Sequence, residues 1–275
     1  MKTLRKFFVQ ENGRVKNRVV MRRREKFILA AALLSFGLLM VQYFGVEWRY
    51  WAFAVFMVLT YVVSAWALSD DLQIHEWLTI LPFPALYAGS VSLFYFLLPS
   101  AFLTRVLILV LFGGGMYGLF LTSNIFSVAK GRSIQLLYAA HAIGLFFTLF
   151  TSMLFTNAIF SLRLPFYVNA GLMGLVHFPL ILMGLWSVKL ESLISRTVWS
   201  FTLLLTLVLT ELGMLFSLLP LPAWHVALFI MGLLYIGLGV LQSQIRERLF
   251  QNTANEYSLV AVFLGIVFLI LLPWK

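Results

Sequence analysis

The sequence predicts an all-α membrane protein, a polytopic transmembrane helical bundle of about nine spans with its N-terminus in the cytoplasm. Of the 275 residues, 62% are hydrophobic and only 11% are charged, and the mean hydropathy is +0.97. A soluble domain carries roughly a quarter of its residues as charged side chains. The composition therefore excludes a water-soluble protein. The apolar residues form continuous runs, which predict helices, whereas the strands of a membrane barrel would show alternation.

Nine apolar runs are each long enough for one crossing, since a hydrocarbon core of about 30 Å needs about 20 residues of helix. They comprise residues 27–46, 50–68, 77–98, 102–122, 134–158, 166–188, 197–219, 223–242 and 257–273. Arg105 and Glu211 are the only charged residues inside these runs. The pattern predicts a polybasic arm at residues 1–26 and a single transmembrane domain at residues 27–275.

Charged residues bound the first four runs. The first run begins after Lys26, and the second lies between Arg49 and Asp70. The third run follows Glu76, and the fourth contains Arg105 near its start. A short loop therefore separates each run from the next, as expected for helices that cross a membrane in turn.

The remaining five runs have similar boundaries. The fifth follows the basic segment at Lys130, and Arg163 separates it from the sixth. The seventh begins after Arg196, the eighth ends before Arg246, and the ninth ends before Lys275. Aromatic residues typical of the headgroup layer lie near the ends of several runs. They are Trp48, Tyr50, Trp51, Trp77, Trp199, Trp224, Tyr257 and Trp274.

The distribution of basic residues predicts the orientation, because short basic loops stay on the cytoplasmic side. With the N-terminus inside, only Arg49, Arg105, Arg163 and Lys275 of the 20 Lys and Arg residues lie outside. The arm holds ten bases against two acids, so we expect it to contact anionic lipid headgroups. No nucleic-acid partner is expected, since topology explains the basicity. The predicted location is a cell membrane that the chain crosses several times.

The predicted site is a polar layer in the outer half of the bundle, centred on Glu211. Glu211 lies roughly 21 Å from the inner edge of its helix, where a carboxylate is costly unless it is protonated, hydrated or paired. Arg105 is its natural partner, and Asn157, Asn169 and His225 fall at similar depth. One hypothesis is a substrate or proton site open to the outside. The alternative is a buried ion pair or a protonated acid that only holds helices together.

A second candidate is an intramembrane pair of histidines, His141 and His177. Both fall roughly 10 to 16 Å from the inner surface on neighbouring helices. Such a pair could relay a proton or ligate a haem iron, or each ring could simply hydrogen-bond a carbonyl or hydroxyl. The second pair of histidines usual for haem is missing, so we expect no cofactor. We also expect no other metal and no catalytic residue, and the absence of cysteine excludes thiolate chemistry.

Acidic residues near the inner surface suggest an alternative hypothesis, in which the protein is an enzyme. Asp70 and Asp71 could hold Mg²⁺ against a diphosphate in a lipid-linked transferase, with Glu76 and Glu191 as the supplementary acids. A second acidic motif is missing, and a solvated loop explains the same residues. The sequence therefore favours a protein that is not an enzyme.

Glycines in the fourth run predict close helix packing. Gly114 and Gly118 are four residues apart, and such a small-residue face lets another helix backbone approach closely. They could join helices within the bundle or form a helix–helix oligomer.

Residues Ser123 to Ala129, and residues Ile134 to Ala140 beyond the basic loop, resemble an uncharacterised family of multi-pass membrane proteins from candidate-phyla bacteria. The resemblance covers about the fourth to sixth runs. It implies a bacterial inner-membrane location and several helices, but no activity.

Three functions are compatible with these features. The first, a small-solute or proton-coupled transporter, predicts water around Glu211. The second, a non-catalytic membrane scaffold or assembly partner, predicts a dry, paired Glu211 and an exposed small-residue face. The third, the lipid-linked transferase, predicts that Asp70, Asp71 and Glu191 converge at the inner surface.

Overall fold

The structure, a computed structural model, describes residues 22–70, 72–73, 76–98, 101–129, 136–191, 193–248 and 250–272. Throughout these residues the regular secondary structure is helical. The helices are α1 (Arg23–Val41), α2 (Arg49–Leu68), α3 (Glu76–Thr79), α4 (Pro82–Tyr95), α5 (Phe102–Val128), α6 (Leu136–Ser161), α7 (Phe166–Trp186), α8 (Arg196–Ser217), α9 (Ala223–Ile245) and α10 (Gln251–Leu271). The predicted all-α class is confirmed.

Eight helical segments in the described part of the chain are long and apolar enough to cross a membrane. They are α2, the segment Glu76–Tyr95 formed by α3 and α4, and each helix from α5 to α10. The ninth long helix, α1, has 19 residues, but its first turn is charged and shortens its apolar stretch. The predicted polytopic bundle is thus confirmed.

Contacts between helix ends show that successive segments run in opposite directions. The Nζ atom of Lys26 at the start of α1 lies 2.8 Å from the Asp70 carboxylate just after α2. Glu76 at the start of α3 likewise bonds Ser127 near the end of α5. We call the end that holds Lys26 the inner end, following the predicted orientation, and the opposite end the outer end.

The first helix begins inside the segment predicted as the polybasic arm. The Glu25 carboxylate accepts a hydrogen bond from the Arg22 backbone N–H at 3.0 Å, which satisfies one of the donors left open at a helix start. An acid in the first turn also interacts favourably with the helix dipole. The helix therefore starts at Arg23, before the predicted boundary at residue 27. The rest of the arm, residues 1–21, lies outside the described residues.

The third predicted span, residues 77–98, is not one continuous helix. Helix α3 ends at Thr79 and α4 begins at Pro82. Proline has no backbone N–H and fits the first turn of a helix but not its interior. Pro82 therefore starts a new helix, and α4 ends at Tyr95, three residues before the predicted limit.

Helix α6 occupies the centre of the bundle, where it packs against α4, α5, α7 and α9. Helices α7 and α8 pack together along their length, and α1 packs against α2 and α5. Helix α10 is peripheral: it packs against α9, and none of its residues is buried. Among the described residues, α6 carries four buried hydroxyl side chains.

Two glycines of α5 allow close contacts within the bundle. A Cβ atom at Gly113 would lie 2.7 Å from the Ser35 hydroxyl, and a Cβ at Gly115 would overlap the Tyr87 side chain. Position 115 thus needs glycine because Tyr87 fills the space beside its backbone.

The predicted small-residue face behaves differently. A Cβ at Gly114 would meet nothing within 4 Å, and a Cβ at Gly118 would touch only Phe147 at 3.7 Å. Gly114 is exposed on the outside of the bundle. Gly114 is therefore free of close packing against the described residues, and its role in an oligomer stays a prediction.

Candidate functional site

The interior of the bundle contains a row of hydroxyl groups on α6. Thr148, Thr151, Ser152 and Thr156 are each at most 1% exposed. Positions 148, 152 and 156 are four residues apart and so lie above one another on one helix face. Packing against helices on several sides keeps this row away from lipid.

His177 of α7 faces this row near the middle of the membrane. It follows Phe166 by eleven residues and precedes Trp186 by nine, so it lies about 16 Å from the outer end of α7 and about 14 Å from the inner end. Its side chain is 0% exposed. Its Nε2 atom lies 2.8 Å from the Ser152 hydroxyl oxygen, and its Nδ1 atom lies 2.8 Å from the Met173 carbonyl oxygen.

These two partners determine the neutral tautomer of His177. A carbonyl oxygen can only accept, so Nδ1 must carry the hydrogen that it donates to Met173. In a neutral imidazole Nε2 is then an acceptor, and the Ser152 hydroxyl donates to it. Protonation at Nε2 would turn this atom into a donor and reverse the hydrogen bond with Ser152. The pair therefore has two hydrogen-bonded arrangements that differ by one proton.

The polar row continues toward the outer end of α6. The Thr156 hydroxyl donates to the Met173 sulfur at 3.7 Å. We call Thr148, Ser152 and Thr156 of α6, together with Met173 and His177 of α7, the α6–α7 seam. The seam places polar atoms at steps of about 6 Å along α6, since a helix rises 1.5 Å per residue.

His141 lies at the inner end of the same region. It is half-buried, and its Nε2 atom donates to the Ser187 carbonyl oxygen at 2.7 Å. Beside it lies a cavity of about 10 Å³, whose lining includes Thr148 and Gln242. A cavity of about 10 to 15 Å³ holds one water molecule when polar groups line it. The inner end of the seam is thus suited to one bound water between His141 and Thr148.

The two histidines do not meet. Ser187, the partner of His141, follows His177 by ten residues along α7, which corresponds to about 15 Å of helix. Ligands of one metal ion must each lie about 2 Å from it, so His141 and His177 cannot share an iron in this arrangement. Among the described residues, no group of three or more His, Asp or Glu side chains could hold a metal ion.

Asn169 lies beyond the outer end of the seam and is 3% exposed. Its Nδ2 atom donates to the Ser217 hydroxyl at 3.0 Å and to the Leu164 carbonyl at 3.2 Å. These bonds hold the start of α7 to the end of α8. Its Oδ1 atom is buried without a hydrogen-bond partner in the described structure.

Glu211 lies on the outside of the bundle. Its side chain is exposed, six residues before the end of α8 and therefore about 9 Å below the outer end. Its neighbours one and two turns away on the same face are exposed apolar side chains. They are Leu203, Leu204, Leu207, Val208, Met214, Leu215 and Leu218. We call these residues and Glu211 the α8 outer face, where outer means the side of α8 that faces away from the bundle.

The structure does not bring Glu211 and Arg105 together. Arg105 belongs to α5, which packs against α1, α2, α4 and α6, whereas α8 packs against α7 and α9. The Arg105 side chain instead lies near the Tyr95 hydroxyl at the end of α4. Within the described residues, Glu211 and Arg105 form no ion pair.

The other two residues of the predicted outer layer, Asn157 and His225, make contacts of their own. Asn157 is half-buried on α6, and its backbone carbonyl accepts a hydrogen bond from the Ser161 hydroxyl at 2.7 Å. His225 stacks on the neighbouring Trp224 ring at the start of α9, with 3.8 Å between ring centroids. Of the five residues predicted for this layer, only Asn169 bonds across two helices near the seam.

The acidic residues at the inner end do not form one pocket in the described structure. The Asp70 carboxylate accepts from Lys26, and Glu191 is exposed while its carbonyl accepts from the Trp186 ring N–H at 3.0 Å. Asp71 lies outside the described residues. Asp70 and Glu191 therefore give no support to the shared acidic pocket that a lipid-linked transferase would need.

Glu76 is a buried polar residue that the sequence pattern assigned to a loop. It is 0% exposed, and its Oε2 atom accepts from the Gln73 backbone N–H and the Ser127 hydroxyl, each at 2.8 Å. The sequence predicted Glu76 only as a supplementary acid of a transferase site, and its hydropathy pattern gave no signal of burial. Ser152 was also missed, although its four-residue spacing from Thr148 and Thr156 was visible in the sequence.

These features define an α-helical, multi-pass membrane protein with a polar seam through its centre. Comparison of the chain with protein-family models, curated proteins and solved structures finds no match. The resemblance noted for residues 123–140 therefore stays a prediction.

Proposed function

We propose that the protein is a small-solute or proton-coupled transporter whose working site is the α6–α7 seam. The supporting observation is His177, an ionisable side chain that is wholly buried at mid-membrane and hydrogen-bonded across two helices to Ser152. Ionisable residues at this depth that face the bundle interior are typical of proton relays and substrate pathways. Histidine is also the side chain whose unperturbed pKa lies nearest to neutral pH.

The neighbouring groups support a proton-coupled mechanism. The Ser152 hydroxyl can donate or accept, so it can follow a change in the protonation of His177. Thr148 and the one-water cavity beside His141 extend the polar row toward the inner end. Asn169 and Ser217 extend it toward the outer end. Coupling to a solute would follow if the reversed hydrogen bond favoured a different packing of α6 against α7.

The proposed location is the bacterial cytoplasmic membrane, with the N-terminal arm in the cytoplasm. It rests on the distribution of basic residues and on the family resemblance.

His177→Gln is expected to slow proton flux through the protein by about tenfold, equivalent to about 1.4 kcal/mol in the barrier. Glutamine cannot take up a proton, so the relay is interrupted at mid-membrane. Purified protein would be reconstituted in liposomes that contain a pH-sensitive dye, and the decay of an imposed pH gradient would be recorded with the membrane voltage clamped by potassium and valinomycin.

His225→Gln is the matched control, because it makes the same chemical change at a histidine outside the seam. We expect it to retain the flux of the unaltered protein, while Ser152→Ala loses most of it. Equal flux in His177→Gln and unaltered protein would refute the proton relay. A proton flux through the unaltered protein that is no faster than the leak of protein-free liposomes would also refute the proton relay.

An assembly role is a second candidate, and the α8 outer face is the observation that favours it. A carboxylate surrounded by exposed leucines in the hydrocarbon region is costly when it faces lipid. The face would suit a partner transmembrane helix with a Lys or Arg side chain in the outer half of the membrane. Pairing would offset the cost, and the leucines would supply apolar packing.

Glu211→Leu is expected to shift the solubilised complex to smaller size on a native gel. The partner helix would be identified by mass spectrometry, and Glu211→Lys with an acidic replacement of the partner's basic residue should restore the larger complex. Glu247→Leu, a change at an exposed acid outside the membrane region, serves as the control. Identical migration of Glu211→Leu and unaltered protein would exclude this assembly, as would a complex containing only copies of this chain.

A further inference from the structure

A cavity of about 130 Å³ opens at the outer end of the bundle, away from the α6–α7 seam. It lies between the start of α2 and the ends of α4 and α6. Its lining consists of Arg49, Tyr50, Leu93, Phe96, Leu97, Ala158 and Leu162. One water needs only about 10 to 15 Å³, so the cavity has room for a larger chemical group.

Arg49 is the only charged side chain among the described residues that line this cavity. Its guanidinium carbon lies 5.2 Å from the centroid of the Phe96 ring, a cation–π contact that fixes the charged group against one wall. Its Nε atom is shielded from solvent and has no hydrogen-bond partner in the described structure. None of the described carboxylates lies within 4.0 Å of the guanidinium.

A shielded arginine nitrogen without a partner is costly, and an anion with oxygen acceptors would offset that cost. Guanidinium groups match the geometry of phosphate oxygens particularly well. The other walls are mainly apolar: Leu93, Leu97, Ala158 and Leu162 line the space beside Arg49. The cavity therefore matches a ligand that has an anionic phosphate at one end and a hydrocarbon chain at the other.

The position of the cavity indicates where such a ligand comes from. The neighbouring Trp48, Tyr50 and Trp51 are exposed, and aromatic side chains at helix ends mark the headgroup layer of a bilayer. A lipid in the outer leaflet presents its phosphate at this level with its chains extending along the apolar walls. A free phosphate ion would use Arg49 but not those walls.

We propose that this cavity is a binding site for an anionic phospholipid of the outer leaflet, with Arg49 holding the phosphate. The lipid chains lie along α4 and α6. The site does not depend on transport, since Arg49 and the α6–α7 seam involve different side chains.

Arg49→Gln tests the site in detergent-purified protein titrated with dioctanoyl phosphatidylglycerol. We expect the lipid to raise the melting temperature of unaltered protein in a saturable way, with an apparent affinity about tenfold weaker in Arg49→Gln. Arg163→Gln, a change at an exposed outer arginine, should behave as the unaltered protein does. Ala158→Leu should also weaken the lipid effect, because it fills the cavity while keeping Arg49.

Phosphatidylcholine and inorganic phosphate complete the comparison. Both are expected to leave the melting temperature nearly unchanged at concentrations where phosphatidylglycerol acts. An equal effect of phosphatidylcholine would overturn the preference for anionic lipid, and an equal effect of inorganic phosphate would overturn the lipid assignment. Equal lipid responses of Arg49→Gln and unaltered protein would overturn the site, as would an unaltered response in Ala158→Leu.

Discussion

Glu76→Ala is expected to lower the free energy of unfolding by about 2 to 4 kcal/mol. The carboxylate is buried at the inner end, where it accepts hydrogen bonds from the Gln73 backbone and the Ser127 hydroxyl. Alanine leaves both donors without this acceptor, and removing one partner from a buried hydrogen bond costs more than the bond itself contributes. The contact also joins the start of α3 to the end of α5, so two segments would loosen together.

Reversible unfolding in mixed micelles, followed by circular dichroism, would measure this change. Glu191→Ala is the control, because Glu191 is an exposed acid at the same end of the bundle. Its effect should stay within about 0.5 kcal/mol. Glu76→Gln keeps one oxygen acceptor and should fall between the two. A Glu76→Ala protein as stable as Glu191→Ala would show that the buried contact contributes little.

Gly115→Leu is expected to destabilise the bundle by about 3 kcal/mol through overpacking. A side chain at this position meets Tyr87, which cannot easily move away. The Tyr87 ring stacks on Phe112 at 5.5 Å between centroids and meets the edge of Phe147 at 5.2 Å. Aromatic rings on two sides therefore keep Tyr87 in place, and the strain passes into α4 and α6.

Gly114→Leu provides a stringent comparison at the adjacent position. Gly114 is exposed, and an added Cβ would meet no described atom within 4 Å. The free energy of unfolding of the Gly114→Leu protein should therefore change by less than about 1 kcal/mol. Thermal unfolding of both variants in the same detergent would measure the difference. If Gly114→Leu were the less stable of the two, the assignment of close packing to position 115 would be wrong. A loss of oligomers in Gly114→Leu alone would support the predicted small-residue interface.

The long helices were predictable because membrane crossing depends on length and hydropathy, both of which can be counted along the chain. The breaks within them were harder to place. Pro82 interrupts the third span after α3, although the surrounding residues are apolar enough for one continuous run. Glu25 extends the first helix into the charged arm by accepting a hydrogen bond from Arg22. Local backbone chemistry decides such boundaries, whereas hydropathy averages over it.

The candidate site was less predictable because sequence position gives the depth of a side chain but not the direction in which it points. Glu211 and Arg105 have comparable depth, yet they belong to helices with different neighbours. Helix α8 is apolar on both its buried and exposed faces, so its composition could not show which face carries Glu211. His177 was identified as a candidate, but its bond to Ser152 depends on which helices adjoin.

The central position of α6 bears on how the protein is built. Helix α6 precedes two of its packing partners, α7 and α9, in the chain, so its hydroxyl row enters the membrane before they can cover it. The Thr148 hydroxyl donates to the Gly144 carbonyl one turn earlier. Such a bond lets a polar side chain tolerate lipid without help from another helix. The Thr148 hydroxyl therefore needs no partner from α7 or α9, whereas Ser152 gains its hydrogen-bond partner only when His177 packs against α6.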